Sequence, residues 1–271
     1  MHNFGFKIMD QDLDSINLIL DYVLTHKYPL EISLSHAESK AKGLLKQRLA
    51  NTEIPISAHT PHEYVHAYNL HHKEELLETH IQEAKNLINS EYSVLHLSWF
   101  PMTVRKVLQP AFKQHLLDNL ERAEALCVKY DYRLYIENSF EILSFYREIF
   151  TQITNHNLDH LDFCFDIGHA KVWSQETLDE WLNFMDDLIQ EGFNLHIHLH
   201  ANSGLSDEHL SIMEAQERDL LKPDNFFNPY GYPDAFWVIE ERFPMVTKVF
   251  EVGPKLAVAN MQAVEAFKKS Q

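Results

Sequence analysis

Residues 194–200 read Asn-Leu-His-Ile-His-Leu-His. The alternation is strict. Leu195, Ile197 and Leu199 fall on one face of an extended segment, and His196, His198 and His200 on the other. In a parallel barrel the apolar face meets the surrounding helices and the histidine face lines the interior.

The rhythm recurs on both sides of this segment. Short β-type runs alternate with longer amphipathic runs of helical period. The predicted strands are 4–8, 30–34, 54–59, 93–97, 133–137, 161–166, 195–200 and 247–252. The predicted helices lie near 11–26, 38–49, 73–89, 103–130, 140–155, 175–191, 234–242 and 256–269. Eight such units predict a single (β/α)8 TIM barrel with its site at the C-terminal rim of the strands; a doubly wound open sheet is the alternative. There is no low-complexity or Gly/Ser linker, so residues 1–271 read as one domain. One connection is long, about 201–233, with Gly204, Pro223, Pro229 and Gly231. It is expected to form a loop or lid, with part of 207–221 helical.

Composition narrows the function. With 45% hydrophobic and 23% charged residues the chain is an ordinary globular one. Its 23 basic and 40 acidic residues argue against gripping nucleic acid. No apolar run approaches the roughly 20 residues of a membrane span. The start lacks a signal pattern, and Cys127 and Cys164 cannot build a disulfide framework. The expected location is the cytoplasm.

The polar residues at the strand ends carry the chemistry. His59 closes the third predicted strand, His96 lies near the end of the fourth, Glu137 ends the fifth, Asp166 the sixth, and Glu251 comes near the end of the eighth. With the histidine face of the seventh strand, carboxylates and imidazoles converge on one rim. No lysine or arginine stands on those strand ends, so a cation is expected to hold the carboxylates ionised. Asp166-Ile-Gly-His169 places a histidine where the chain turns into the next helix. Asp207-Glu208-His209 offers another carboxylate–imidazole pair.

These segments resemble the xylose-isomerase-like TIM barrels, the group that includes endonuclease IV and many sugar isomerases and epimerases. The resemblance rests on AHTP (58–61), VLHLSW (94–99), YIENSFE (135–141), FDIGHA (165–170), HLHANSGLSDEHL (198–210), DAFWVIEERF (234–243) and VFEV (249–252), in the family's order. The first two strands carry no motif. The resemblance implies that Glu137, Asp166, His198 and Glu251 match the four ligands of the single metal in the sugar epimerases. It implies that His59, His96, His169, Asp207 and His209 match the further ligands of the three-zinc cluster in endonuclease IV. All nine residue types are present. Two or three divalent ions are therefore expected, with zinc, manganese and iron all compatible with the donor set.

The departures bear on substrate. The basic, aromatic DNA loop after the second strand of the endonuclease is missing. Residues 37–48 read instead as an amphipathic helix carrying Lys40, Lys42, Lys46 and Arg48. Met213-Glu214-Ala215 replaces a glycine-rich stretch, and Phe226, Phe227, Tyr230 and Tyr232 follow. Duplex DNA is not the expected partner. A small molecule under a lid is, with or without a phosphate.

Three readings follow. In the first, metal ions assist hydrolysis of a phosphoester on a small or sugar-containing substrate, with Glu137 bridging two ions and Glu251 orienting the water. In the second, one ion polarises a sugar or sugar phosphate while Glu137 and Glu251 move the proton and His169 holds substrate. An apurinic-site endonuclease or a barrel that binds without turnover comes after these. His200, Asn202 and Trp99 are candidates for contacting substrate or supporting the ligands. His62, His66, His71, His72 and His80 read as a solvated helical surface, and His196 and Cys164 as packing.

Overall fold

The computed structural model describes residues 3–269. Eight parallel strands close in chain order: β1 (Phe4–Met9), β2 (Leu30–Ser33), β3 (Ile56–His59), β4 (Tyr92–His96), β5 (Arg133–Glu137), β6 (Leu161–Asp166), β7 (Leu195–Leu199) and β8 (Thr247–Phe250). The closed barrel is the predicted fold; the open sheet is excluded because β8 pairs with β1.

Around it run α1 (Leu13–His26), α2 (Lys40–Leu49), α3 (Leu70–Ile88), α4 (Gln109–Tyr130), α5 (Leu143–Asn155), α6 (Ile167–Trp173), α7 (Leu178–Gln190), α8 (Ile212–Glu217), α9 (Asp234–Arg242) and α10 (Ala257–Lys269). Sequence periodicity does not foresee α6, a two-turn helix directly after β6. None of the helices is long and apolar enough to cross a membrane, among the described residues.

The α7 helix shows how the outer layer forms. Thr177 and Glu180 cap its start reciprocally. Leu178, Trp181, Leu182, Met185 and Leu188 recur at helical spacing and are buried. Burial of each such side chain stabilises the fold by about 1.5–3 kcal/mol. They meet the outward face of β6, where Phe163 packs edge-on against Phe184 at 5.4 Å and Phe150 at 5.3 Å.

Inside the barrel the same alternation sorts the residues differently. Val94, Tyr135 and Cys164 form a small apolar plug separate from the main core. Above the plug the inward positions are ionisable. The register aligns them at one rim: His96 pairs with Glu137 across β4 and β5, and Asp166 with His198 across β6 and β7.

The stretch expected as a lid has a different place. Ala201 and Leu210 form a β-bridge. Only 212–217 of the 207–221 stretch is helical. Phe226, Phe227 and Tyr232 are buried in the main core. The α7 start is tied to them through the Leu178 N–H donating to the Phe226 carbonyl at 2.8 Å. Lys171 of α6 pairs with Asp224 at 2.7 Å and lies over the Phe227 and Tyr232 rings. Residues 210–232 thus buttress the barrel's side, and none of them lines the main cavity. The aromatics that suggested a lid are there for apolar burial.

Candidate metal centre

A cavity of about 470 Å³ opens at the C-terminal rim. His96, His169, Asp207, His209 and Glu251 line it, with Met9, Trp99, Phe140, Trp173 and Val252 as apolar walls. The nine ligand candidates come together at its floor in three overlapping groups.

Glu137 is fully buried at the centre. Its Oε2 faces His96 Nε2 at 2.9 Å and His59 Nε2 at 3.3 Å. Its Oε1 faces His198 Nδ1 at 3.2 Å and His169 Nδ1 at 3.4 Å. His198 Nδ1 also lies 3.0 Å from Glu251 Oε1 and 3.9 Å from Asp166 Oδ2. The third group is Asp207, whose Oδ2 sits 3.2 Å from His169 Nε2 and 2.9 Å from His209 Nε2.

The proton positions decide what this geometry means. A carbonyl oxygen only accepts, so a ring nitrogen beside one must be the N–H. His59 Nδ1 donates to the Thr60 carbonyl at 2.8 Å, His169 Nδ1 to the Asn138 carbonyl at 2.8 Å, and His209 Nδ1 to the Glu251 carbonyl at 3.1 Å. In each neutral ring the other nitrogen then carries a lone pair, and it points at a carboxylate oxygen. Two acceptors face one another, which is repulsive unless a proton or a metal ion lies between them. Metal-bound histidines show this pattern, the second N–H being tied to a carbonyl or carboxylate. Two ligands each about 2.1 Å from one ion, at about 90–110°, stand about 3.0–3.4 Å apart. Most of the separations above fall in that range. Asp166 Oδ2 is buried with no hydrogen-bond partner, an expensive state for a carboxylate that a cation removes. The residues fit divalent cations.

The electrostatics agree. Burial opposes the Glu137 charge, yet His96 and His198 hold its carboxyl well below the usual range. Asp166 is lowered in the same way, burial being outweighed by His169 and His200. His209 is raised to about 9, with burial overcome by Asp207 and Glu251. These carboxylates demand positive charge. Metal ions supply it without protonating the rings, and their binding releases those protons.

The supporting candidates divide. Trp99 is half exposed at the mouth and stacks on His62 at 4.8 Å between ring centroids. His200 and Asn202 do not line the cavity; they stand behind the ligands. His200 Nε2 lies 3.2 Å from Asp166 Oδ1. The Asn202 amide donates to the Gly168 carbonyl at 3.1 Å and its oxygen accepts from the Gly204 N–H. A side chain at Gly168 would lie 2.0 Å from His200, so only glycine fits in the Asp-Ile-Gly-His turn.

Three histidines depart from the solvated-surface reading. The α3 helix starts only at Leu70, so residues 61–66 belong to the rim. His62 stacks on His96 at 4.5 Å and lies within ligand reach of His59 and His96. His66 and His80 are buried. His80 Nε2 is 2.9 Å from Ser93 Oγ.

Two functional residues escape the sequence reading altogether, both on the strands without a motif. Lys7 of β1 pairs with Glu251 and lies 3.4 Å from Glu31. It corrects the expectation that no lysine or arginine serves these carboxylates. Glu31 of β2 is fully buried; its Oε2 accepts from His198 Nε2 at 3.0 Å, and His196 Nε2 lies 3.0 Å from the same oxygen. His196 Nδ1 in turn accepts from the Tyr92 hydroxyl at 3.1 Å. Glu31 therefore sets the His198 tautomer and leaves Nδ1 free to face the ligand group. Glu31→Gln is expected to weaken metal binding by about 10- to 100-fold with the fold intact. Competition titration against a chelator measures this; an unchanged affinity would remove Glu31 from the site's support.

No family model matches the sequence, and no curated protein does. Solved structures do match. A D-tagatose 3-epimerase-like protein superposes with a TM-score of 0.70 at 20% identity, over 99% of this chain and 97% of its own. The chain has the xylose-isomerase-like barrel fold. A protein from Thermus thermophilus, from a crystal soaked with ZnCl2, matches this xylose-isomerase-like barrel with a TM-score of 0.63 at 18% identity, over 97% and 98% of the two chains. An AP endonuclease of family 2 from Brucella melitensis matches with a TM-score of 0.62 at 11% identity, over 93% of each. Identities this low establish the shared barrel and leave its chemistry to the site.

Proposed function

We propose that this protein is a metal-dependent hydrolase of phosphoesters, acting on a small or sugar-containing molecule. The observation that supports this best is the His169–Asp207–His209 group. A mononuclear isomerase has its four ligands in Glu137, Asp166, His198 and Glu251 and no use for a further set. Here a further set stands ready, with both outer ring nitrogens aimed at Asp207 Oδ2.

The reading assigns three positions: His59, His96 and Glu137; Glu137, Asp166, His198 and Glu251; His169, Asp207 and His209. Zinc, manganese and iron all suit these donors. Such ions supply Lewis acidity to the phosphoryl oxygens and charge stabilisation to the leaving oxygen. The chain's own residues do the rest. Glu137 uses its two oxygens to hold two of the positions together. Glu251, between His198 and Lys7, orients the attacking water. Trp99, Phe140 and Trp173 exclude bulk water from one side of the substrate. The cavity volume suits a small ligand, and net charge −17 disfavours duplex DNA.

The second reading is a sugar or sugar-phosphate isomerase or epimerase, favoured by the epimerase-like structural neighbour. Glu137 and Glu251 would then serve as the acid–base pair on either side of one ion. Elemental analysis of protein saturated with metal separates the two. Two or three equivalents per chain, with turnover of bis(p-nitrophenyl) phosphate and weak binding to an abasic duplex, is the expected result. One equivalent at saturation hands the site to the isomerase reading.

A further inference from the structure

Lys7 is the one lysine or arginine lining the cavity among the described residues. Its ammonium is held from below by Glu31 Oε1 at 3.4 Å and pairs in front with Glu251 Oε1. That same Glu251 oxygen lies 3.0 Å from His198 Nδ1. Lys7 and the ligand group therefore share one carboxylate oxygen. When Glu251 serves an ion, Lys7 keeps Glu31 and has N–H groups left over at the cavity wall. Burial disfavours its charge, but Glu251, Glu31 and Glu137 outweigh that and raise its pKa, so it stays an ammonium.

Charge balance says what it meets. Glu31, Glu137, Asp166, Asp207 and Glu251 bring five negative charges to the floor. Lys7 and three divalent ions bring seven positive ones. The excess of two calls for a dianion. Neutral substrates leave it uncompensated in a largely apolar cavity, where unbalanced charge is costly.

We propose that Lys7 is the anion-binding residue of the cavity, its ammonium donating to an oxygen of a dianionic phosphoryl group and so selecting phosphorylated over neutral substrates. The assignment rests on the multinuclear reading above for its charge balance. Its contacts with Glu31 and Glu251 do not depend on that reading.

The test uses metal-loaded protein and calorimetric titration with inorganic phosphate, with malonate as a carboxylate dianion and xylitol as a neutral polyol. Lys7→Met is expected to weaken phosphate binding about ten- to a hundredfold, the range for a lost charge-assisted hydrogen bond. Metal content and xylitol binding stay unchanged, and Lys7→Arg retains most of the phosphate affinity. Lys7→Gln repeats the experiment should the methionine variant fold poorly. Full phosphate affinity in folded, metal-replete Lys7→Met or Lys7→Gln overturns the proposal. So does loss of a metal equivalent in both variants, which makes Lys7 a structural counter-ion. Malonate binding as tight as phosphate overturns the phosphoryl preference. Lys7-dependent phosphate binding in a protein that saturates with one ion keeps this assignment and sinks the hydrolase reading.

Discussion

Glu137→Gln is expected to abolish phosphoesterase activity, with a loss of at least about a thousandfold, while the barrel stays folded. Its position explains the size. One carboxylate oxygen serves His59 and His96, and the other serves His198 and His169. An amide has a single acceptor oxygen, so the variant can complete one position at most. Its N–H₂ would donate into the other, where a cation belongs. Several kcal/mol of charge stabilisation disappear with the lost ion, and each 1.36 kcal/mol is about tenfold in rate. Metal analysis should show at least one equivalent missing. Wild type treated with chelator provides the reference for stability. Where free metal is about 100-fold above its Kd, each ion stabilises the native state by about 2.7 kcal/mol. Melting with and without chelator should then differ by about 5–10 °C per ion for a domain of this size. Activity within tenfold of wild type in Glu137→Gln would place the active centre elsewhere.

The barrel was legible because period two and the strand–helix rhythm are local properties. The rule that sorts Leu195, Ile197 and Leu199 from the three histidines needs no tertiary information. The nine ligand candidates followed from it, together with motif resemblance, because each ends a strand or begins a rim turn. Lys7 and Glu31 obey the same rule. In Phe-Gly-Phe-Lys-Ile-Met, Phe6 and Ile8 face outward and Lys7 inward; in Leu-Glu-Ile-Ser, Leu30 and Ile32 face outward and Glu31 inward. The signal was present but lone, with no second polar residue to mark a site. What was not legible depended on distant partners. Phe226 and Tyr232 look alike in sequence whether they cover a cavity or buttress α6. Only the Lys171–Asp224 contact and the burial of the rings decide it. His62 looked like a surface residue because nothing local says that α3 starts eight positions later. His196 and Tyr92, read as packing or passed over, support the site only through Glu31, a partner on a strand far away in the chain.

Asp207→Ala combined with His209→Ala separates the two enzyme readings at the residues where they differ. In an isomerase with one ion neither side chain is a ligand. In the hydrolase they complete the third position with His169, and they also fasten the loop after β7 to the rim. His209 reaches Glu251 through its carbonyl and lies 3.3 Å from Glu251 Oε2. The double variant is expected to lose at least one metal equivalent per chain and most phosphoesterase activity. A two-metal displacement needs ions about 3.5–4 Å apart on the attacking and leaving oxygens. The Glu137–Asp166–His198–Glu251 group is untouched, so its ion should remain. The loop should keep its place as well. Ala201 and Leu210 remain paired by two backbone hydrogen bonds, and the Ser203 N–H and hydroxyl still donate to Glu208. Loss of metal in this variant is therefore loss of ligands, not of the loop. Retention of full metal content and full turnover would show that Asp207 and His209 are bystanders, and the sugar isomerase reading would take the site.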